Sequence, residues 1–253
     1  MQQGLDKIHD WSIKWQLSLA ASKCQILHIG STNTNVDYVV NGVNLLKCNS
    51  VVDLGVKIDS KIRFDKQIAN MVNKANARAA LILRSFKTRE PQISFKAFVI
   101  YVRPILEYCS AVWNPSYKCD VQKVEAVQRR FTKKLRSLRN LNYCERLDRL
   151  ESETLEIRRI KTDLVTVYSS LNTLCCISFS NLFTVANRTC TRGHAFKLLK
   201  PNCSINCRLF SFSCRVINIW NSLPSNVVTA TSISAFKRQL NSINFNIFLT
   251  DAR

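Results

Sequence analysis

The hydrophobic pattern changes period twice along the chain. Leu5, Ile8, Trp11 or Ser12, Trp15 and Leu19 recur at three- to four-residue intervals, which predicts an amphipathic helix over residues 5–19. A short apolar run follows at 24–29 and is closed by Gly30. Two further runs, 38–40 and 43–46, flank Asn41-Gly42, a dipeptide that accepts positive φ at both turn positions and so signals a hairpin. Val52, Leu54, Val56 and Ile58 then alternate with Asp53, Gly55 and Lys57, the mark of a half-buried strand. Together these runs predict one small antiparallel sheet.

From about residue 61 the period lengthens, and Ile68, Val72, Ala75, Ala79, Ile82 and Phe86 follow one face of a long helix, which Pro91 ends unless it begins the next one. Further helices are expected at 92–103, 105–112, 119–139 and 153–172, interrupted by Pro104, by Asn114-Pro115 and by residues 140–142. Beyond 172 the chain loosens into Ser, Asn, Thr and Cys, and tightens again at 212–223 and 233–240. The expected fold class is α+β and mostly α. It has a small antiparallel hairpin sheet near the N-terminus (1–60), a helical bundle (61–172) and a loosely structured, basic C-terminal extension (173–253). No internal repeat occurs.

Composition narrows the class. With 253 residues, 46% hydrophobic and 21% charged, the chain carries enough apolar surface to fold, and 5 Gly with 5 Pro exclude collagen-like and linker-rich sequences. No apolar run reaches the ~18–20 residues of a membrane span, and the opening residues are unlike a signal peptide, so the expected location is nuclear or cytoplasmic with no membrane partner. Eleven cysteines are an odd number in a chain of this size, which favours reduced thiols over a disulfide framework. Lys and Arg number 37 against 17 Asp and Glu, a formal charge of +20, and this points to a polyanionic partner.

The charge is concentrated. Residues 61–103 hold ten basic and two acidic side chains, residues 123–139 seven and one, and residues 164–250 eight and none. In the second segment Val124, Val127, Phe131, Leu135 and Leu138 form an apolar stripe, which leaves Arg129, Arg130, Lys133, Lys134 and Arg136 for the outside. With Lys74, Arg78, Arg84 and Arg103 these are the expected contacts to RNA, DNA or their hybrid, made through the backbone. Tyr101, Trp113, Tyr117 and Phe131 lie beside this charge and suit either base stacking or, more commonly, core packing.

Signs of self-contained catalysis are few. The three histidines, His9, His28 and His194, are isolated, and no Gly-rich phosphate loop or Asp-Asp pair occurs. Asp53, Asp59 and Asp65 read as strand, turn and helix-start residues. Cys190, His194, Cys203, Cys207 and Cys214 offer soft ligands, but only Cys203 and Cys207 have the close spacing of a structural zinc site, so no metal ligand is assigned.

Seven short segments then fall into a recognisable order. They are Trp11-x3-Trp15-x-Leu17-x-Leu19 with Lys23-Cys24; Asp53-Leu54-Gly55-Val56-x-Ile58-Asp59; Tyr101-Val102-Arg103-Pro104-Ile105-Leu106-Glu107-Tyr108 with Val112-Trp113-Asn114-Pro115; Val127-Gln128-Arg129-Arg130-Phe131-Thr132-Lys133; Tyr143-x-Glu145-Arg146-Leu147; Thr191-Arg192-Gly193-His194; and Trp220-Asn221-Ser222-Leu223-Pro224. In this order the chain resembles the region downstream of the catalytic centre in reverse transcriptases of non-LTR (LINE-type, jockey-like) retrotransposons.

The resemblance implies the end of a polymerase palm over 1–60, a thumb-like bundle over 61–172 and a C-terminal extension. It also implies that Lys23 is a pyrophosphate-side lysine, and that Asp53, Leu54, Gly55 and Val56 belong to a primer-grip-like strand. The family's Tyr/Phe-Ala-Asp-Asp motif precedes the Trp11 position by about twenty residues and falls outside the sequence. Mg2+ is therefore expected only in a full-length enzyme, with upstream polymerase and endonuclease regions as partners, and the chain alone is expected to be inactive. A domesticated, non-enzymatic nucleic-acid-binding protein derived from the element is the alternative.

Overall fold

The computed structural model describes residues 1–30, 32–86, 90–186 and 193–249. The protein is α+β and mostly helical, and it forms two compact units, Met1–Gln67 and Ile68–Arg253.

The first unit opens with α1 (Gln2–Lys14) and continues through β1 (Gln25–Leu27), β2 (Val39–Val40), β3 (Val43–Asn44), β4 (Leu46–Cys48), β5 (Ser50–Asp53) and β6 (Val56–Asp59). The strands pair as three two-stranded ladders instead of one sheet, and β1 runs parallel to β4. The hairpin at Asn41-Gly42 forms as its sequence predicts, with φ of 51° and 73° and Val40 opposite Val43.

Residues 52–58 are not one continuous strand. Leu54 and Gly55 take φ of 45° and 83° and make a second tight turn, which pairs Asp53 with Val56 and Val51 with Ile58. A leucine in the left-handed region hides this turn from a sequence reading, because alternation survives across a two-residue loop. Val56 is buried, whereas Leu54 at the tip is 83% exposed.

Helix α1 also differs from expectation. It stops at Lys14, and Gln16 at φ 55° turns the chain. Its inward residues are Gln2, Leu5, His9 and Ser12, while Trp11 and Trp15 are 52% and 61% exposed. The cause is polar. The Gln2 carboxamide pairs with the backbone of β2, accepting from Val39 N at 3.1 Å and donating to Val39 O at 2.8 Å, and this fixes the rotation of the helix.

The second unit takes in α2 (Asp65–Ser85) from Ile68 on, then α3 (Pro91–Tyr101), α4 (Arg103–Glu107), α5 (Ser110–Trp113), α6 (Lys118–Lys134), α7 (Tyr143–Arg149) and α8 (Leu155–Leu171). The expected helix at 105–112 is split, because Cys109 at φ 53° breaks it and lets Trp113 enter the core and donate to Tyr108 O at 2.6 Å. Helix α6 buries its predicted stripe, but it ends at Lys134 and passes into a 3-10 turn, Arg136–Leu138. Helix α7 carries a reciprocal capping box between Asn142 and Glu145.

Among the described residues of 173–211, the regular elements are the one-turn helices α9 (Phe179–Leu182) and α10 (Asn206–Leu209) and an isolated antiparallel bridge between Val185 and Leu198. The chain then tightens into α11 (Phe212–Asn221), α12 (Ser225–Val228) and α13 (Ile233–Leu240), of which α11 and α13 pack on α8 and α12 packs on α13. Leu164, Val167 and Tyr168 of α8 share this core with Val216, Ile217, Trp220, Phe236 and Leu240. Tyr168 stacks on Phe236 at 4.3 Å between centroids, and its hydroxyl donates to Ala230 O at 2.6 Å. Asn221 binds Leu198 on both sides, donating to its carbonyl at 2.9 Å and accepting from its N–H at 2.8 Å.

Leu54→Asn converts the second turn into Asn-Gly, removes the penalty of a left-handed leucine and raises the stability of the first unit by about 1 kcal/mol, measured by chemical denaturation. No change, or a decrease, would show that Leu54 gains more from its surroundings than its backbone gives up.

Candidate nucleic-acid interface

The segment Val127-Gln128-Arg129-Arg130-Phe131-Thr132-Lys133 divides cleanly between inside and outside. Val127, Gln128, Phe131 and Thr132 are 0–2% exposed, while Arg129, Arg130, Lys133 and Lys134 are all exposed. At 100° per residue these four cations cover an arc of about 140° on α6. Among the described residues none of them forms an ion pair or a side-chain hydrogen bond. Arg129 alone has an aromatic neighbour, its guanidinium lying 5.0 Å from the Tyr143 ring centre.

The one acid in residues 123–139 does not screen them. Glu125 is 6% exposed and faces inward, where it accepts from the Tyr143 hydroxyl and, at 2.9 Å, from Leu155 N at the start of α8. Burial holds its carboxyl above the ordinary range, although the Tyr143 hydroxyl and Arg159 favour the charged form. Burial and then the charge of Glu125 raise Tyr143 in turn. Gln128 completes the arrangement, donating to Tyr143 Oη at 3.1 Å and to Glu153 O at 3.0 Å.

Other carboxylates of the unit are engaged in the same way. Arg158 grips Glu107 at two points, Lys161 pairs with Glu153, and Asp120 holds Lys123 at 2.7 Å. Arg215 binds Asp163 through two bonds of 2.8 and 3.0 Å and donates to Ala111 O at 3.0 Å. Asp163 lies above its ordinary pKa because burial outweighs the pull of Arg215 and Arg159. Arg146, 4% exposed, donates to Thr132 Oγ1 at 3.1 Å and to Leu141 O at 2.7 Å, tying α7 to α6. Sequence reasoning missed these pairs. Asn142-x-x-Glu145 and Asp120-x-x-Lys123 carried a local signal, whereas partners elsewhere stand as far apart as Asp163 and Arg215.

The remaining expected contacts are spread out. Lys74, Arg78 and Arg84 are exposed along α2, and Arg136 is exposed in the 3-10 turn after α6. Arg103 departs from expectation: it is 9% exposed, turned over the Phe95 ring at 6.0 Å, and burial lowers its pKa. Trp113 and Phe131 are core residues, whereas Tyr101 and Tyr117 are 54% and 43% exposed. In the first unit Lys23 ends an exposed 3-10 turn, Ala21–Lys23. Asp53, Leu54, Gly55 and Val56 form the tip of the second hairpin.

Asp59 is committed to the backbone, accepting from Lys61 N, Arg63 N and Phe64 N at 2.9, 3.1 and 2.9 Å. Among the described residues no three His, Cys, Asp or Glu side chains converge as metal ligands would. His194 directs Nε2 to Trp220 O at 3.0 Å, and Cys203 lies 3.7 Å from Cys214, sulfur to sulfur. Cys190, Thr191 and Arg192 lie outside the described residues. No described helix is long and apolar enough to cross a membrane.

The chain matches no known family description and no solved structure. It is similar to an uncharacterized protein of Caenorhabditis elegans, with 28% identity over 127 residues, 49% of this chain and 64% of that protein. It is also similar to the RNA-directed DNA polymerase from the mobile element jockey of Drosophila funebris, with 24% identity over 143 residues, 53% of this chain and 15% of the polymerase. The chain thus spans less than two thirds of either relative. The second similarity supports a relationship to retrotransposon reverse transcriptases.

Asp163→Asn leaves Arg215 without a counter-ion in a buried position and lowers stability by about 3–5 kcal/mol in urea denaturation, whereas Asp163→Leu with Arg215→Met restores most of it. Equal destabilisation in the single and double variants would contradict a role for the pair in fixing α11 on α8.

Proposed function

We propose that the chain is a reverse-transcriptase-derived polypeptide that holds nucleic acid by its backbone, without reading sequence, and that residues 129–134 of α6 are its principal contact. The observation that carries this reading is the set of four exposed cations on one arc of a helix whose only acid in that stretch faces the core. Backbone binding needs a field of cations that can release counter-ions, and it needs no base-reading geometry.

Similarity to a jockey polymerase supports the origin of the chain. In that frame residues 1–60 correspond to the end of a palm, 61–172 to a thumb-like bundle and 173–253 to a basic extension. Lys23 and the hairpin tip at Asp53, Leu54, Gly55 and Val56 would then lie on the side of the polymerase that meets substrate and primer. DNA synthesis uses carboxylates that hold Mg2+. The expected result for this chain alone is binding without synthesis. A domesticated, non-enzymatic binding protein fits the same surface.

Binding of a mixed-sequence oligonucleotide is expected to weaken linearly on a log–log plot against salt. Replacing Arg129, Arg130, Lys133 and Lys134 together by Gln is expected to flatten that slope by up to about 3.6 for duplex DNA, since each phosphate no longer neutralised accounts for about 0.9. Affinity falls alike for unrelated sequences while the circular dichroism spectrum is unchanged. Weakening confined to one sequence, or an unchanged slope, would overturn the reading.

A further inference from the structure

A groove of about 710 Å³ in the second unit is lined by Lys96, Val99, Arg103, Ser152 and Arg158 among others. Its cations are not equivalent. Arg158 is neutralised by Glu107, and Glu153 on the same lining is neutralised by Lys161. Arg103 has no hydrogen bond or ion pair among the described residues, although its guanidinium is largely withdrawn from water against Phe95. Burial and the neighbouring charge of Arg158 both disfavour its charged form, against weaker support from Glu107 and Glu153. Ser152 Oγ, on the same lining, is buried with no hydrogen-bond partner among the described residues, and Lys96 is exposed. The lining carboxylate without an ion pair among the described residues is Glu151, which is exposed to solvent.

A recessed guanidinium without a counter-charge destabilises the fold that keeps it, and an anion arriving from outside removes that cost. The donors that line the groove include a planar fork, a hydroxyl and an ammonium, the set that phosphate oxygens accept from. Shape narrows the source. Duplex DNA is stiff over about 150 base pairs and presents its phosphates on a convex surface, so they do not enter a recess. A single strand bends freely and can lower one phosphate into the groove.

We propose that this groove is a phosphate-binding site, with Arg103 as its recessed anchor and Lys96 as its rim cation, and that its occupant is a phosphate of single-stranded nucleic acid. The choice of polymer rests on the function proposed above; the affinity for phosphate does not.

The full chain tests both parts. Inorganic phosphate, compared with chloride at equal ionic strength, is expected to raise the unfolding temperature. Arg103→Met is expected to remove most of that rise while unfolding no lower than the natural chain in chloride, since it deletes an uncompensated charge. In anisotropy titrations Arg103→Met and Lys96→Gln should each weaken a single-stranded oligonucleotide about tenfold and a duplex of the same sequence less than about twofold. Lys96 is exposed, so Lys96→Gln keeps the test open if Arg103→Met fails to fold.

An equal phosphate response in the natural chain and in these variants overturns the site. Equal weakening for single strand and duplex overturns the single-stranded occupant. Should the α6 glutamine variant bind normally while Arg103→Met does not, the exposed helix is the wrong interface and the groove stands.

Discussion

Charged groups withdrawn from water need partners, and in the second unit that requirement is met largely around α8. Its first N–H group is held by Glu125, Arg158 reaches Glu107, Arg159 donates to Asn114 Oδ1 at 3.0 Å, Lys161 pairs with Glu153, and Asp163 receives Arg215. One turn further on, the same helix changes to Leu164, Val167 and Tyr168 and enters the apolar core with Trp220 and Phe236. α8 therefore combines an ionic half and an apolar half, and helices α5, α6, α11 and α13 all pack on it. Buried pairs of this kind add little net stability but make misplacement expensive, so they act chiefly on specificity of packing.

A chain with 37 basic and 17 acidic residues has few carboxylates to distribute. Placing Glu107, Glu125, Glu153 and Asp163 in internal pairs leaves the outer arc of α6 without anions of its own. The positive field is thus a consequence of how the interior is solved as much as of composition. The segments that resemble reverse transcriptases divide along the same line. Within Val127-Gln128-Arg129-Arg130-Phe131-Thr132-Lys133, Gln128 and Thr132 hold neighbouring elements together, as Arg146, Trp220 and Asn221 do in later segments, whereas Arg129, Arg130 and Lys133 face solvent.

Local signals were legible in the sequence and long-range ones were not. Asn41-Gly42, the Pro91 helix start and the stripe from Val124 to Leu138 all depend on neighbours within a few residues, and all appear as expected. Leu54-Gly55 escaped because leucine rarely adopts positive φ, and the face of α1 was misjudged because the Gln2 carboxamide outweighs the apolar pattern, which leaves Trp11 and Trp15 exposed. For the candidate interface, the exposed cations of α6 follow from its period. The burial of Arg103 does not, since Leu150 and Ser152, which line the same groove, are distant from it in sequence.

The central claim is that cations on the outer arc of α6 are free for a polyanion, whereas those around α8 are occupied. Lysine acetylation read by mass spectrometry, with and without a bound mixed-sequence oligonucleotide, tests this most directly. The account predicts that Lys133 and Lys134 react readily in the free protein and are protected when nucleic acid binds, while Lys161, bonded to Glu153 and Asn241, reacts slowly in both states. Binding that leaves Lys133 and Lys134 as reactive as before would contradict it.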